Sequence, residues 1–263
     1  ATLTSTIFTD NWGVFGGGVI NGDTLTVSEC TFEDNTSNVG AGIDNSAGEL
    51  IVEDSIFTGN DAGNFGGGIV NYGSSLIVSR STFNNNDSYS GGGIWNSNMA
   101  EVINSTFVDN SSDQYGAGIY NTSVLTISGS TLSGGSALLN GGGIYNKVKA
   151  SLSIKNTLIA NSVAGGDCYN EGTIPVNVNN LIEDNSKTCN PSLSGDPGLQ
   201  PLAMNGGLTP TMALGSGSIA IDAGDDANCE ALDQRSAPGP QGDHCDIGAY
   251  ERAAQSIIND AGD

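Results

Sequence analysis

Paired carboxylates are the chemistry this chain is best stocked for, with 29 Asp and Glu against 7 Lys and Arg and a single histidine. Two acids held about 5 to 9.5 Å apart can cleave a glycosidic bond, and acids grouped with other oxygens can hold calcium. Asp10 and Asp34 stand at equivalent places, each just before an asparagine, 24 residues apart. They are the candidate metal pair. The column they begin continues Gly59, Asn85, Asp109, Gly134, so the pairing is not sustained, and a solvated turn column is the better account. Further acids gather late, at Glu183, Asp184, Asp222, Asp225, Asp226 and Asp233. Turn capping explains them more simply than an ion does. A lyase also needs a base beside its carboxylates. Before residue 165 only Arg80, Lys147, Lys149 and Lys155 are basic, and no acidic cluster flanks the two turn lysines. His244 lies between Asp243 and Cys245 without a nucleophile-elbow serine. The expectation is a protein without catalytic residues or cofactor, calcium being the one ion left open.

The elements that position these residues follow from a repeat. The phrase G-[GA]-G-[IV]-x-N occurs six times, with Val19, Ile43, Ile69, Ile94, Ile119 and Ile144 stepping by 24 to 26 residues. A phrase [FL]-x-x-N runs in step from Phe8 through Phe32, Phe57, Phe83 and Phe107 to Leu132, where Gly135 replaces the asparagine, and then Leu158. A third, L-x-V, gives Leu25/Val27, Leu50/Val52, Leu76/Val78 and Leu125/Ile127. Three short apolar-alternating segments per repeat, each closed by Gly or Asn, predict three strands per coil. A period near 25 with strand content predicts an all-β parallel solenoid, a single-stranded β-helix whose coils stack at about 4.8 Å. Right-handed winding is expected, because parallel crossovers nearly always are. Like residues then lie over like. Asn21, Asn45, Asn71, Asn96, Asn121 and Asn146 should form an inward ladder, each amide bonding to the next. The glycines allow tight turns and close stacking; leading into strand rather than helix, they do not form a phosphate loop.

The net charge of −22 repels nucleic acid and anionic membrane surfaces, and no stretch is long and apolar enough for a membrane-spanning helix. No leader segment is visible at the start. Four of the five cysteines fall in the last hundred residues. They are read as Cys168–Cys189 and Cys229–Cys245 disulfides, which places the chain in an oxidising, extracellular setting. Cys30 is left over as a small buried apolar residue. From about residue 165 the rhythm fails and prolines appear. The division expected is coils over 1–164, irregular C-terminal coils and a disulfide-stapled cap over 165–251, and a polar tail or linker over 252–263.

The stretch "LDQRSAPGPQGDHCDIGAYE", residues 232–251, resembles the C-terminal signature of choice-of-anchor Q proteins, roughly D-Q-R-G … C-D-I-G-A-Y-E. The match runs through Asp233, Gln234 and Arg235 and again from Cys245 to Glu251. Ser236 stands where that family tends to have glycine, and Ala237 where it has a further arginine. The run from Asp167 to Cys189 resembles the cysteine segment preceding that ending, and the glycine and phenylalanine phrases resemble polymorphic outer-membrane protein repeats. The resemblance implies a right-handed parallel β-helix at a secreted or surface location, with no settled activity. Asp233 and Arg235 are expected to brace the cap.

Two outward rows bear on function. The position after each Ile/Val of the first phrase reads Ile20, Asp44, Val70, Trp95, Tyr120, Tyr145, which predicts an aromatic stripe able to stack on sugars or anchor a protein. The position before each Phe or Leu reads Ile7, Thr31, Ile56, Thr82, Thr106, Thr131, Thr157. A threonine row of this kind occurs in ice-binding solenoids, but β-propensity alone explains it. Five N-x-[ST] sequons, at Asn35, Asn86, Asn104, Asn110 and Asn121, are open to glycosylation in a secreted chain. The opening "ATLTSTIF" lacks a polar lid, so either a lid has been removed or another subunit supplies one, and the second case implies head-to-tail stacking into a filament. The reading is a structural or adhesive surface protein, self-assembling into a filament or meeting cell-surface glycans. The alternative is a pectate-lyase-like carbohydrate-active enzyme or glycan-binding module.

Overall fold

The computed structural model describes residues 1–184 and 188–253, so the tail expected over 252–263 lies outside the described residues from 254 onward. It is a parallel β-solenoid. Apart from one three-residue 3-10 turn, Asp226–Asn228, every named element is a strand. Each coil of the regular region has four strands where three were expected. In the coil around Leu76 they are Ser75–Ser79, Thr82–Asn84, Asp87–Ser90 and Ile94–Asn96. Strands pair with their copies one coil away, building four parallel sheets of 8, 8, 6 and 7 strands. Ile69 registers with Ile94, and Ile94 with Ile119.

The unexpected strand is the third. Its inward residues are Ser37, Ala62, Ser88, Ser112 and Ala137, all buried. They are too small and too polar to give the apolar alternation that marks a half-buried strand. This sheet also shifts register in several pairs, as between Ala62 and Phe65.

The core is a set of vertical columns. Phe8, Phe32, Phe57, Phe83 and Phe107 stack with centroids 4.6 to 4.8 Å apart and planes within 7°. Beside them run Leu25, Leu50, Leu76, Ala100, Leu125 and Leu152, and Val27, Val52, Val78, Val102, Ile127 and Ile154, all buried. The run "GGGIWN", residues 91–96, shows what the glycines of the first phrase do. Gly91 adopts φ +75° at the turn, where an L side chain is strained. Gly93 makes room: a Cβ there would lie 2.9 Å from the Phe107 ring and 2.5 Å from the Gly118 carbonyl. The third glycine is thus the slot for the next coil's phenylalanine.

The inward asparagines and one column of serines are satisfied by their own copies, whereas the third-strand hydroxyls of Ser37, Ser88 and Ser112 have no partner among the described residues. The amides of Asn21, Asn45, Asn71, Asn96, Asn121 and Asn146 donate up the column to one another and finally to Asn170, at 2.6 to 2.9 Å. A second ladder joins Asn11, Asn35, Asn60, Asn86 and Asn110 at 2.8 to 3.0 Å. A third is made of serines: the backbone N–H of Ser55 donates to Ser81 Oγ, Ser81 to Ser105, and Ser105 to Ser130. Cys30 heads this column. Its N–H donates to Ser55 Oγ, and its thiol donates to the Ser28 carbonyl as Ser55 Oγ does to Glu53. It is therefore more than a small apolar filler, being a serine stand-in.

Pairing continues past residue 164. Cys168–Asn170, Thr173–Val178 and Leu181–Ile182 extend three of the sheets. Here one expectation fails: Leu132 registers with Ile159, not Leu158. Leu158 therefore faces outward in place of Thr157, and Asn161 falls outside its ladder. The reason lies beyond. From Leu199 to Glu251 the chain runs back along the outer side of the second sheet as a strap. Leu158, Ala160 and Leu181 pack under it against Leu214, Ala220 and Ile247. The disulfides Cys168–Cys189 and Cys229–Cys245 close this region, with Cα atoms 6.1 and 6.4 Å apart.

Candidate functional site

The strap is held by the motif residues. The Asp233 carboxylate accepts five hydrogen bonds, from the N–H groups of Arg235, Ala237 and Glu251 and from the Arg235 guanidinium at 2.6 and 2.8 Å. Arg235 also donates to the Glu251 carbonyl and lies 3.7 Å over the Tyr250 ring. Glu251 accepts from the N–H groups of Gln241 and Asp246, and Asp246 from those of Asp222 and Arg252. Burial pushes the carboxyls of Asp246 and Glu251 up, against the pull of those amide donors. Ser236 has φ +64°, the conformation glycine adopts most easily.

Gln234 reaches into the solenoid. Its amide donates to Thr82 Oγ1 at 3.0 Å and Thr209 Oγ1 at 2.9 Å, and Thr106 Oγ1 donates to its carbonyl at 2.6 Å. Thr131 Oγ1 accepts from the Ala249 N–H. The threonine row is thus buried under the strap from Thr82 to Thr131, leaving no flat face for ice. The C-terminal motif includes Gln234 but does not disclose its reach into the solenoid, because a lone glutamine has no periodic signal.

The late acids serve local structure. Asp225 caps the 3-10 turn. Asp226 accepts from the Cys245 N–H and pairs with His244 Nδ1 at 2.8 Å. The Asp226 carboxylate holds the imidazole above its usual range, and the hydrogen bond from His244 holds Asp226 below its own. Among the described residues one triad of ligating types converges, Asp226, Cys229 and Cys245, and its two cysteines are joined as a disulfide. Asp10 and Asp34 belong to no such group. Their column has φ from +52° to +71° at Asp10, Asp34, Gly59, Asn85, Asp109 and Gly134, a conformation open chiefly to Gly, Asn and Asp. Backbone geometry therefore accounts for the carboxylates there. Arg80 is bound to Asp54 at 2.8 and 2.9 Å. All five sequon asparagines are buried, and four of their amides are spent in the ladders, so in the folded chain none presents an acceptor.

The aromatic stripe exists, but it is largely covered. Trp95, Tyr120 and Tyr145 register on successive strands, with centroids 6.4 and 5.2 Å apart. Tyr120 and Tyr145 are only 8% and 5% exposed. Tyr115, from the unrecognised third strand, packs on both, and Tyr169 continues the stack past Tyr145 at 5.6 Å. Tyr145 donates to Glu171 Oε2 at 2.6 Å, and burial together with that carboxylate pushes its phenol well up.

The open part of this face lies toward the first coil. Phe15, Ile20 and Tyr72 are exposed, and with Asp44 and Ser46 they line a groove of about 390 Å³. Tyr72 rests against Trp95, centroids 5.0 Å apart. Asp44 is 2% exposed, and its Oδ1 has no hydrogen-bond partner among the described residues. Desolvation holds its carboxyl above the usual range, with the Ser46 hydroxyl pulling the other way. The outward row had shown Asp44 as its one charged member; that break was the signal available in the sequence.

No family model matches the chain, and no curated protein or solved structure matches it either.

Proposed function

We propose that this chain is a non-enzymatic structural or adhesive protein of a cell surface, of the choice-of-anchor Q kind that its C-terminal motif resembles. One observation carries the reading. The asparagine ladders, the Ser55–Ser130 column and the strap acids are consumed by structural hydrogen bonds, which supports a structural rod. The two disulfides fit a non-reducing, extracellular setting, and no helix among the described residues is long and apolar enough to cross a membrane.

End-to-end assembly is part of the proposal. The first coil's strands pair only with the second's, and Ile7, Trp12 and Phe15 are exposed there. Such an edge accepts further coils, from the same polypeptide or from another copy. Light scattering and electron microscopy across a concentration series should show growing rods; particles of one coil stack at every concentration argue against it.

The runner-up, a pectate-lyase-like enzyme or glycan-binding module, is weighed by one experiment. The chain is incubated with a panel of acidic and neutral polysaccharides and also printed against a glycan array. The expected result is no depolymerisation. Turnover that scales with protein overturns the structural reading, and retained glycan without turnover moves it to the module.

A further inference from the structure

Asp44 is the anomaly of the outer face. Its neighbours in the row are apolar or aromatic, and it is buried with one oxygen unpaired among the described residues. A desolvated carboxylate without a partner is costly, and an opposite charge offsets that cost best. Protonation would remove the charge but leave the oxygen unpaired.

The surroundings select the partner. A metal needs several oxygens, and Asp44 belongs to no group of three or more ligating side chains among the described residues. A sugar ring needs several polar contacts to be read; besides Asp44 the groove offers only Ser46 and Tyr72 as polar lining. An ammonium group on an apolar stem fits both requirements. The charge meets Asp44, the stem lies along Ile20 and Phe15, and aromatic faces attract cations. The net charge of −22 draws cations toward the surface. A second orphan narrows the source. The Trp95 indole Nε1–H is buried without an acceptor among the described residues, and Tyr72 neighbours both Trp95 and the groove. A residue within a polypeptide carries both an ammonium and a main-chain carbonyl for that indole.

We infer that the groove of Phe15, Ile20, Asp44, Ser46 and Tyr72 receives a lysine side chain from a partner polypeptide. The inference deepens the adhesive reading and rests on it for the partner being a protein. Because Oδ1 is closed from solvent, entry requires an exposed lining side chain such as Tyr72 to turn aside.

The test is an NMR titration with Nα-acetyl-lysine methylamide, its Nε-acetylated counterpart, methyl glucoside and calcium chloride. Wild type should bind the first probe, with shifts confined to the groove. The neutral counterpart should bind about tenfold more weakly or worse, a single charge contact being worth that much. Asp44→Asn should lose the same factor while melting no lower than wild type, since it removes an unpaired charge. Equal binding of both lysine probes, unchanged binding by Asp44→Asn, or a lowered melting temperature in that variant overturns the inference. So does preference for the glucoside or for calcium. Polysaccharide turnover would sink the adhesive reading without touching this result, so the two failures are separable.

Discussion

The coils and the strap solve the same problem in opposite ways. In the coils the buried asparagines meet copies of themselves. Asn96 both accepts from Asn71 and donates to Asn121, so one rung depends on two neighbours and resembles every other rung. In the strap no contact recurs. Gln234 alone ties Thr82, Thr106 and Thr209, and Asp233 alone gathers five donors. A repeat spreads a defect along the stack, whereas a singular clasp concentrates it.

That contrast can be broken experimentally. Phe83 sits mid-stack between Phe57 and Phe107. Phe83→Ala should destabilise the whole solenoid by about 3 to 5 kcal/mol, and hydrogen exchange should accelerate in coils and strap together. Acceleration confined to one coil would mean the stack is not cooperative. Reduction comes next. Cys229–Cys245 closes a loop of 16 residues, and chain entropy assigns such a loop about 3 kcal/mol. Mild reductant should loosen residues 229–245 and leave the exchange of Ile69, Ile94 and Ile119 unchanged; melting of the coils would join the two regions into one unit. Gln234→Ala follows, at about 1 to 3 kcal/mol for the partners left unpaired. It should release the strap from Thr82 to Thr131, read as faster exchange in residues 199–251 only.

The smallest effect is with pH. His244 is raised, so its contribution is present below its unfolded value and lost as pH rises through the folded one. Asp246 and Glu251 are also raised, and so they too favour the folded state on the acid side. Asp226 is lowered, and its contribution is lost only on further acidification. Melting temperature should therefore climb modestly from about pH 8 to about pH 5, and His244→Ala should flatten the neutral limb of that climb. A fall toward pH 5 would contradict the assigned directions.

What the sequence discloses and what it hides divide along the same line. A column of Ile69, Ile94 and Ile119 is legible because identical burial demands identical residues every coil. The third strand is hidden because Ser37, Ala62 and Ser88 need only be small. Alternation says that Tyr120 points outward, but not that Tyr115 comes from an unseen strand to cover it. Leu158 reads as a core residue in any period-based view; only the strap makes an outward leucine comfortable. The groove around Asp44 joins residues from three coils, two strand columns and one turn column, and no local pattern announces that meeting.

The strap has a consequence for how the molecule meets its surroundings. A plain stack of coils would be much the same viewed from any side. With one flank sheathed by its own C-terminal segment, the rod has a closed side and an accessible one. Any contact it makes is directional about its long axis, and neighbours laid side by side would have to agree on which way to turn.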